Sequence, residues 1–596
     1  MPSAPARYRG IITPGSWARW IVVVALALLV SGVEALGAVL VFALLGLATD
    51  PDGAIDLPIV GDLRELAPGL SSEELIVATA AAVALFFVIR GVVVLAQTYT
   101  QVRVANTTGV ELSTRLLDRY LRLPYAFHLR RNSSELIRNA NDSVSEILDS
   151  ILMPTVRLVA EGAVVIGLVA VLLLTAPGAT LIAAAVLVPL VTIIVRLVQP
   201  RIGRLGEISQ VETGRSIQAL QQSLHGYRDI TVLGRQQFFL DTYRTSREHI
   251  ARARSLTAVL GGLPRVTIEA FVIGLVAIFM VVSTLAGDGP QGSLAIVGLF
   301  AYASLRIMPS LNKVVGSLNT IRYGRAALDD VQDDLRRAVP ELPSSTRRLP
   351  FTDRLRLEHV TFHYPGLDTP ILDDVDLAIL RGQSVGIVGS TGAGKSTLVD
   401  LLMGLSVPTS GRIVVDGVDL RGNEPAWQRN LGMVSQQVFL LDDTLRRNIA
   451  LGIPDEEIDE GQVHRALQLA QLGVFLESLP DGLDTWVGEQ GVRVSGGQRQ
   501  RLAIARALYT EPDVLVFDEA TSALDNVTEA SLIAALAELR HDHTLITVAH
   551  RLSTVQDYDV IVHLHQGRIL DVGTYDDLLA RSTEFRHLAR VAGAHR

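Results

Sequence analysis

Along the first half of the chain, apolar residues neither alternate nor fall on one helical face; they run on. Uninterrupted or nearly uninterrupted apolar stretches lie near 20–48, 75–98, 151–175, 178–199, 256–286 and 291–311, with Gly and Arg breaking up the last two. Each is long enough to cross a hydrocarbon layer as a helix. The segments 99–149 and 200–255 between them are polar, of helical period, and too long for turns. They are expected to carry the apolar helices well beyond the bilayer. Each holds a break suited to a short crossing helix, at Leu123-Pro124-Tyr125 and at Gly226-Tyr227-Arg228-Asp229. On their own, such charged helices read equally as solvated surface. Near residue 310 the pattern changes: short strand-like apolar runs alternate with helical stretches, as in an α/β domain. The pattern predicts a six-helix membrane domain over 1–310, a linker over 311–350 and an α/β domain over 351–596.

Charge orients the membrane part. The loop 50–74 carries Asp50, Asp52, Asp56, Asp62, Glu65, Glu73 and Glu74 against Arg64 alone, whereas 99–149 carries Arg103, Arg115, Arg119, Arg122, Arg130, Arg131 and Arg138. Basic loops stay on the cytoplasmic side. The first loop is therefore expected outside, the second inside, the short turns near 175–180 and 287–293 outside, and both chain ends in the cytoplasm. The apolar run from Ile21 to Ala48 is too long for a secretory leader and reads as a first span.

Composition supports this picture and trims it. Apolar residues make up 49% of the 596 residues, and the mean hydropathy is +0.34, high for a soluble chain of this length. There is no cysteine, which removes disulfides, thiolate metal sites and a cysteine nucleophile. A net charge of -9 argues against nucleic acid as a partner. Lysine occurs only at Lys313 and Lys395, with arginine elsewhere, a bias that fits a bacterial source.

One of those lysines sits in the most specific motif. Gly389, Ser390, Thr391, Gly392, Ala393, Gly394, Lys395 and Ser396, followed by Thr397, fit G-x-x-x-x-G-K-[ST]. An apolar strand, 384–388, leads in and a helix from Lys395 leads out. Backbone amides there can cradle phosphates at a helix N-terminus. Lys395 would reach the β- and γ-phosphates of ATP, and Ser396 would hold Mg²⁺. The run 514–519 is four apolar residues ending in Asp518 and Glu519, a buried parallel strand with acids at its C-terminal end. Asp518 would hold Mg²⁺, and Glu519 would act as general base on water. Ser495, Gly496, Gly497 and Gln498 precede a strongly helical stretch, with Ser495 as N-cap and the glycines open to a phosphate.

Phosphate loop, Ser-Gly-Gly-Gln and Asp-Glu strand, in this order, resemble the ATP-binding cassette transporters. The likeness extends over the whole chain, since six spans and one cassette form an exporter half. It implies further roles. Tyr364 would stack on adenine. Gln436 would contact Mg²⁺ and the membrane domain. The segment Thr485 to Glu489 resembles the exporter-specific loop, and Ser522 to Asp525 the loop joining two cassettes. His550 would sense the γ-phosphate. Val494 departs from the usual Leu. The family implies two cassettes meeting head to tail, each ATP lying between one phosphate loop and the other's signature. This cassette keeps every catalytic residue, which favours a homodimer in a bacterial plasma membrane.

The cargo must be read from ionisable groups within the spans, which are costly there and usually face a cavity. Arg90, Arg265 and Arg306 are the basic set, and Glu34, Glu161 and Glu269 the acidic one. Either they pair with each other, or the arginines take an anionic amphipathic substrate bidentately. The arginines, the Pro264-Arg265 pair with Glu269, and a long first external loop resemble the flippases of lipid-linked oligosaccharides. That likeness implies a pyrophosphate-binding role and a short external helix over Asp62–Ala67. The alternative is a multidrug or lipid exporter of broad specificity, against which 5% aromatic content leans.

Overall fold

The computed structural model describes residues 10–49, 56–57, 61–62, 71–175, 177–285, 308–338, 347–364, 366–367, 369–488, 491–492, 494–518, 539–540, 542–549 and 551–593. The chain forms two compact units. One comprises Met1–Leu123 with Arg131–Val339, the other Pro124–Arg130 with Pro340–Arg596.

The first unit is built of long helices. These are α1 (Pro14–Thr49) and α2 (Ser72–Arg122), separated by the small pair β1 (Asp56–Leu57) and β2 (Gly61–Asp62). The short helices α3 (Tyr125–Arg130, assigned to the second unit) and α4 (Ser133–Arg138) follow. Then come α5 (Met153–Thr175), α6 (Pro177–His225), α7 (Tyr227–Val232) and α8 (Gln236–Leu285). The chain is helical again over 308–323 and in α9 (Arg325–Arg336). The first five apolar stretches thus lie on α1, α2, α5, α6 and α8. The sixth falls almost wholly outside the described residues. Of the expected external helix, Asp62 lies in β2 and 63–67 are outside them as well.

Local chemistry sets the ends of these helices. Ser71 caps α2 by accepting from the Glu74 amide, while the Glu74 carboxylate accepts from the Ser71 amide at 2.9 Å. This reciprocal pair satisfies amides that the helix itself leaves open. Pro124 ends α2 because the residue before a proline is pushed out of the helical region, and Leu123 is extended. Pro189 and Pro200 lie inside α6 and Pro264 inside α8 without stopping either helix, as neighbouring helices allow in membrane domains. Both breaks predicted from sequence occur where expected, at Leu123-Pro124 and at Gly226. Segment 311–350, expected as a linker, is helical as far as Arg336.

The second unit contains two sheets. The strands are β3 (Arg354–Phe362), β4 (Leu372–Leu380), β5 (Ser384–Val388), β6 (Ser410–Val415), β7 (Val418–Asp419), β8 (Leu431–Val434), β9 (Val514–Asp518), β10 (Thr544–Val548), β11 (Val560–His565) and β12 (Arg568–Gly573). A six-stranded sheet has the order β12-β11-β5-β10-β9-β8 and is parallel except for β12. A four-stranded antiparallel sheet has the order β4-β3-β6-β7. Every residue of β5 and β10 is buried, as is all of β9 but its last residue. Covering helices exclude water from both faces of a parallel sheet, so its strands are apolar throughout. Trp427 is fully buried and donates to the Leu402 carbonyl at 2.7 Å.

Candidate functional site

Parallel register brings residues far apart in sequence to one sheet edge. Val434 of β8 faces Phe517 of β9, Asp518 faces Val548 of β10, and Val548 faces Ile387 of β5. The C-terminal ends of four strands therefore lie level, where ligands bind in open α/β sheets. Gly389 follows β5, Asp518 ends β9, and Gln436 lies exposed two residues past β8. Glu519 and His550, which follow β9 and β10 in the chain, lie outside the described residues, as do Asp525, Glu489 and Arg306.

The phosphate loop turns tightly between β5 and α10 (Lys395–Leu402). A Cβ on Gly389 would lie 2.2 Å from the Leu564 carbonyl oxygen, so no side chain fits there. Gly394 caps α10 at φ 100°, a conformation that favours glycine. Lys395 is buried, and its ammonium donates to the carbonyls of Gly389 at 3.0 Å and Ser390 at 3.1 Å. It is thereby held across the mouth of the loop. Ser390, Thr391, Gly392 and Ser396 are exposed, while Ala393 and Thr397 are buried. Thr397 hydrogen-bonds the Tyr364 hydroxyl at 3.2 Å, and Tyr364 meets Phe362 edge to face with ring centroids 5.0 Å apart. Those contacts fix the Tyr364 ring beside the loop.

The signature segment also folds as its residue types require. Helix α11 (Gly496–Tyr509) starts at Ser495, whose hydroxyl accepts from the Gln498 amide at 3.2 Å, while the Gln498 side chain accepts from the Ser495 amide at 2.8 Å. Gly496, where an added Cβ would meet nothing, leaves the start of the helix open.

Two further residues lie close to this site: Asp400, which sequence reasoning missed, and Tyr125, which it placed only in a break between helices. Asp400 sits one turn beyond Ser396 on α10, and its carboxyl is pushed up to about 6 by burial and by the charge of Asp518. Tyr125 of α3 has its phenol pushed up by burial and by Asp400, Tyr364 and Asp518. Asp400 belongs to no recognisable motif, and Tyr125 was marked only as part of the Leu123-Pro124-Tyr125 break; the fold puts both there. Crowded carboxylates beside an exposed serine hydroxyl suit a divalent cation. Ser396, Gln436 and Asp518 are the residues that would hold Mg²⁺, which when bound neutralises phosphate charge.

The raised Asp400 carboxyl has a testable consequence. Because its folded pKa exceeds its unfolded one, its contribution is full at low pH and is lost as pH rises through about 6. In chelator near neutral pH, Asp400→Asn is expected to stabilise the protein by roughly 1–2 kcal/mol, discounting for solvent screening. The gain should vanish at a pH below the free-carboxylate range. Thermal melting at the two pH values checks this, and identical melting near neutrality would refute it.

In the membrane unit, Arg90 lies on α2 with its guanidinium 5.4 Å from the Phe87 ring centroid. Arg265 and Glu269 lie one turn apart on α8, both exposed in the single chain. The Glu161 carboxylate accepts from the Lys313 ammonium at 2.5 Å. The scarcity of lysine was the one sequence signal that could have marked Lys313, which lies just past the predicted sixth span.

Residues 20–309 match the description "ABC transporter transmembrane region" and residues 372–522 the description "ABC transporter". The chain belongs to the ABC transporter family. It is 32% identical over 508 residues to an ATP-dependent lipid A-core flippase of Ralstonia nicotianae, covering 85% of each chain. It is 34% identical over 511 residues to a protein of the same name in Chromohalobacter salexigens, covering 85% of this chain and 87% of that one. Among solved structures it resembles a bacterial Atm1-family ABC exporter with ATP bound. The TM-score is 0.80 and the identity 25%, over 97% of this chain and 98% of that one. The transporter is thus a multi-pass membrane ATPase of exporter fold that couples ATP hydrolysis, with Mg²⁺, to transport.

Proposed function

We propose that the transporter works as a homodimer in the bacterial inner membrane and flips an anionic, amphipathic lipid-linked molecule outward from the cytoplasmic side. The observation that carries this reading is the place of Arg90, a guanidinium within an apolar span and 5.4 Å from the Phe87 ring centroid. A fixed cation in such a place is costly unless it serves a ligand or a counter-charge. Relatives named as lipid A-core flippases support a lipid cargo. A lipid-linked oligosaccharide is the finer form of the proposal, with Arg265 and Arg306 as further contacts.

The dimer is supported by the tip of the α6–α8 hairpin. Tyr227, Val232, Leu233 and Phe238 are all exposed there in the single chain. Such an apolar tip calls for a partner surface. In the proposed assembly both chain ends are cytoplasmic. Tyr364 and the phosphate loop, Gly389 to Thr397, bind one face of ATP, and Ser495, Gly496, Gly497, Gln498 and Asp525 of the other protomer complete the pocket. Gln436, Glu519 and His550 handle the attacking water and the γ-phosphate.

The test is outward movement of lipid-linked glycans in sealed vesicles, with drug-like amphiphiles run in parallel. Arg90→Ala with Arg265→Ala is expected to cut lipid-glycan transport about tenfold or more, as loss of a charged hydrogen bond worth roughly 1.5–3 kcal/mol implies, with basal ATPase near wild type. Unchanged glycan transport together with drug movement would favour a broad-specificity exporter.

A further inference from the structure

Of the four carboxylates on helix α9, Asp330 and Asp334 lie one turn apart and thus on one face. Asp334 has no solvent exposure. It accepts from the Tyr120 hydroxyl of α2 at 2.7 Å, from Arg131 at 2.5 Å and from the Asn139 amide at 2.8 Å, and Arg337 lies 3.4 Å away. Asp330 accepts from Arg138 of α4 at 2.7 Å and from the Gln210 side chain of α6 at 3.3 Å. Arg138 is itself buried, donating also to the Gln210 carbonyl at 3.0 Å. Gln210 goes on to donate to Ser143 at 2.7 Å. A side chain on Gly214 would press on Arg138 at 3.0 Å.

The helix also deforms here. The chain after Arg138 takes two π-helical turns, Asn139–Ser143 and Leu148–Leu152. Such turns are rare and gather at functional positions. The first of them carries both Asn139 and Ser143, the two residues that complete the network.

Buried charge networks of this kind are a poor means to stability, since desolvation offsets most of the attraction. Their best use is to fix one geometry. This one fixes the helix that leads toward the cassette against three others: α2, the 131–143 stretch and α6. The short α3, which follows Pro124 between two of these anchors, groups with the cassette unit. The chain thus leaves this unit after Leu123, returns to it at Arg131 and leaves it again after Val339, each time within a few residues of the network.

We propose that Asp330 and Asp334 are positioning residues for the coupled reaction, locking α9 and the cytoplasmic ends of α2, α4 and α6 into one body that moves as a unit when nucleotide binds. Neither residue touches ATP. The block keeps its shape while the transporter changes state.

The chain contains no cysteine, so spin labels can be placed without background. Leu121→Cys on α2 and Asp333→Cys on α9 lie on exposed positions. Labelled chains are diluted into unlabelled full-length transporter in lipid nanodiscs, and the label distance is read without nucleotide and with ATP plus vanadate. One narrow distance, identical in both states, is expected with Asp330 and Asp334 intact. Asp334→Asn should broaden it and make it nucleotide-dependent, with basal ATPase retained. Should Asp334→Asn fail to fold, Asp330→Asn with Tyr120→Phe carries the same expectation. A distance that already shifts with nucleotide when both carboxylates are present overturns the proposal. So does a distribution in the variant as narrow and as constant as the wild type.

Discussion

With Glu519 replaced by glutamine, ATP turnover is expected to fall by roughly 10² to 10⁴, the usual contribution of a general base, while ATP still binds. Glu519 directly follows Asp518, the last residue of β9. A base must reach the attacking water; a metal ligand must reach the cation. Glutamine keeps the size and the hydrogen bonding but cannot take a proton. Phosphate release and equilibrium nucleotide binding, measured on the same preparation, separate the two effects. Wild-type turnover in Glu519→Gln would remove it as the base, and lost ATP binding would make it a binding residue instead.

Lys395→Met is expected to behave differently, losing both affinity for ATP and turnover. The ammonium is buried and held by the Gly389 and Ser390 carbonyls across the loop mouth. A fixed charge so placed meets the phosphates at little reorganisation cost. Removing one such donor costs about 10²–10³ in turnover. Methionine preserves the length of the stem but leaves the two carbonyls without that donor, so some loosening of the loop should accompany the loss. Isothermal titration with ATP, set beside turnover, checks the expectation. Tight ATP binding in Lys395→Met would mean that the backbone amides and the α10 N-terminus hold the phosphates by themselves.

The two variants together also test the assignment of steps. Glu519→Gln should hold ATP without splitting it, whereas Lys395→Met should hold it poorly. The reverse pattern would exchange the roles assigned to the two residues.

Much of this architecture was legible in the chain. Apolar run length specified five of the long helices, because a membrane span needs only enough apolar residues in sequence and every backbone group bonds within the helix. The strands 384–388 and 514–518 agree with β5 and β9 because a strand buried on both faces must be apolar throughout. The Ser495 cap formed because its hydroxyl and the Gln498 amide are three residues apart. These are local rules, acting over one strand or one turn.

What only the tertiary structure decided involves partners far apart in sequence. The level ends of β8, β9, β10 and β5 assemble the site through parallel register, which no single strand encodes. Asp400 has no motif to announce it, and Tyr125 was marked only by a helix break; their carboxyl and phenol are shifted by neighbours that folding supplies. No motif marked Lys313 as a partner of Glu161; the helices bring the two together across 152 residues. Asp334, one acid among several on α9, owes its burial to Tyr120, Arg131 and Asn139 from other helices. Hydrophobic pattern and caps act through neighbours in the chain, and so a sequence can declare them. A buried charge is defined by whichever groups close over it, and that choice belongs to the packed fold.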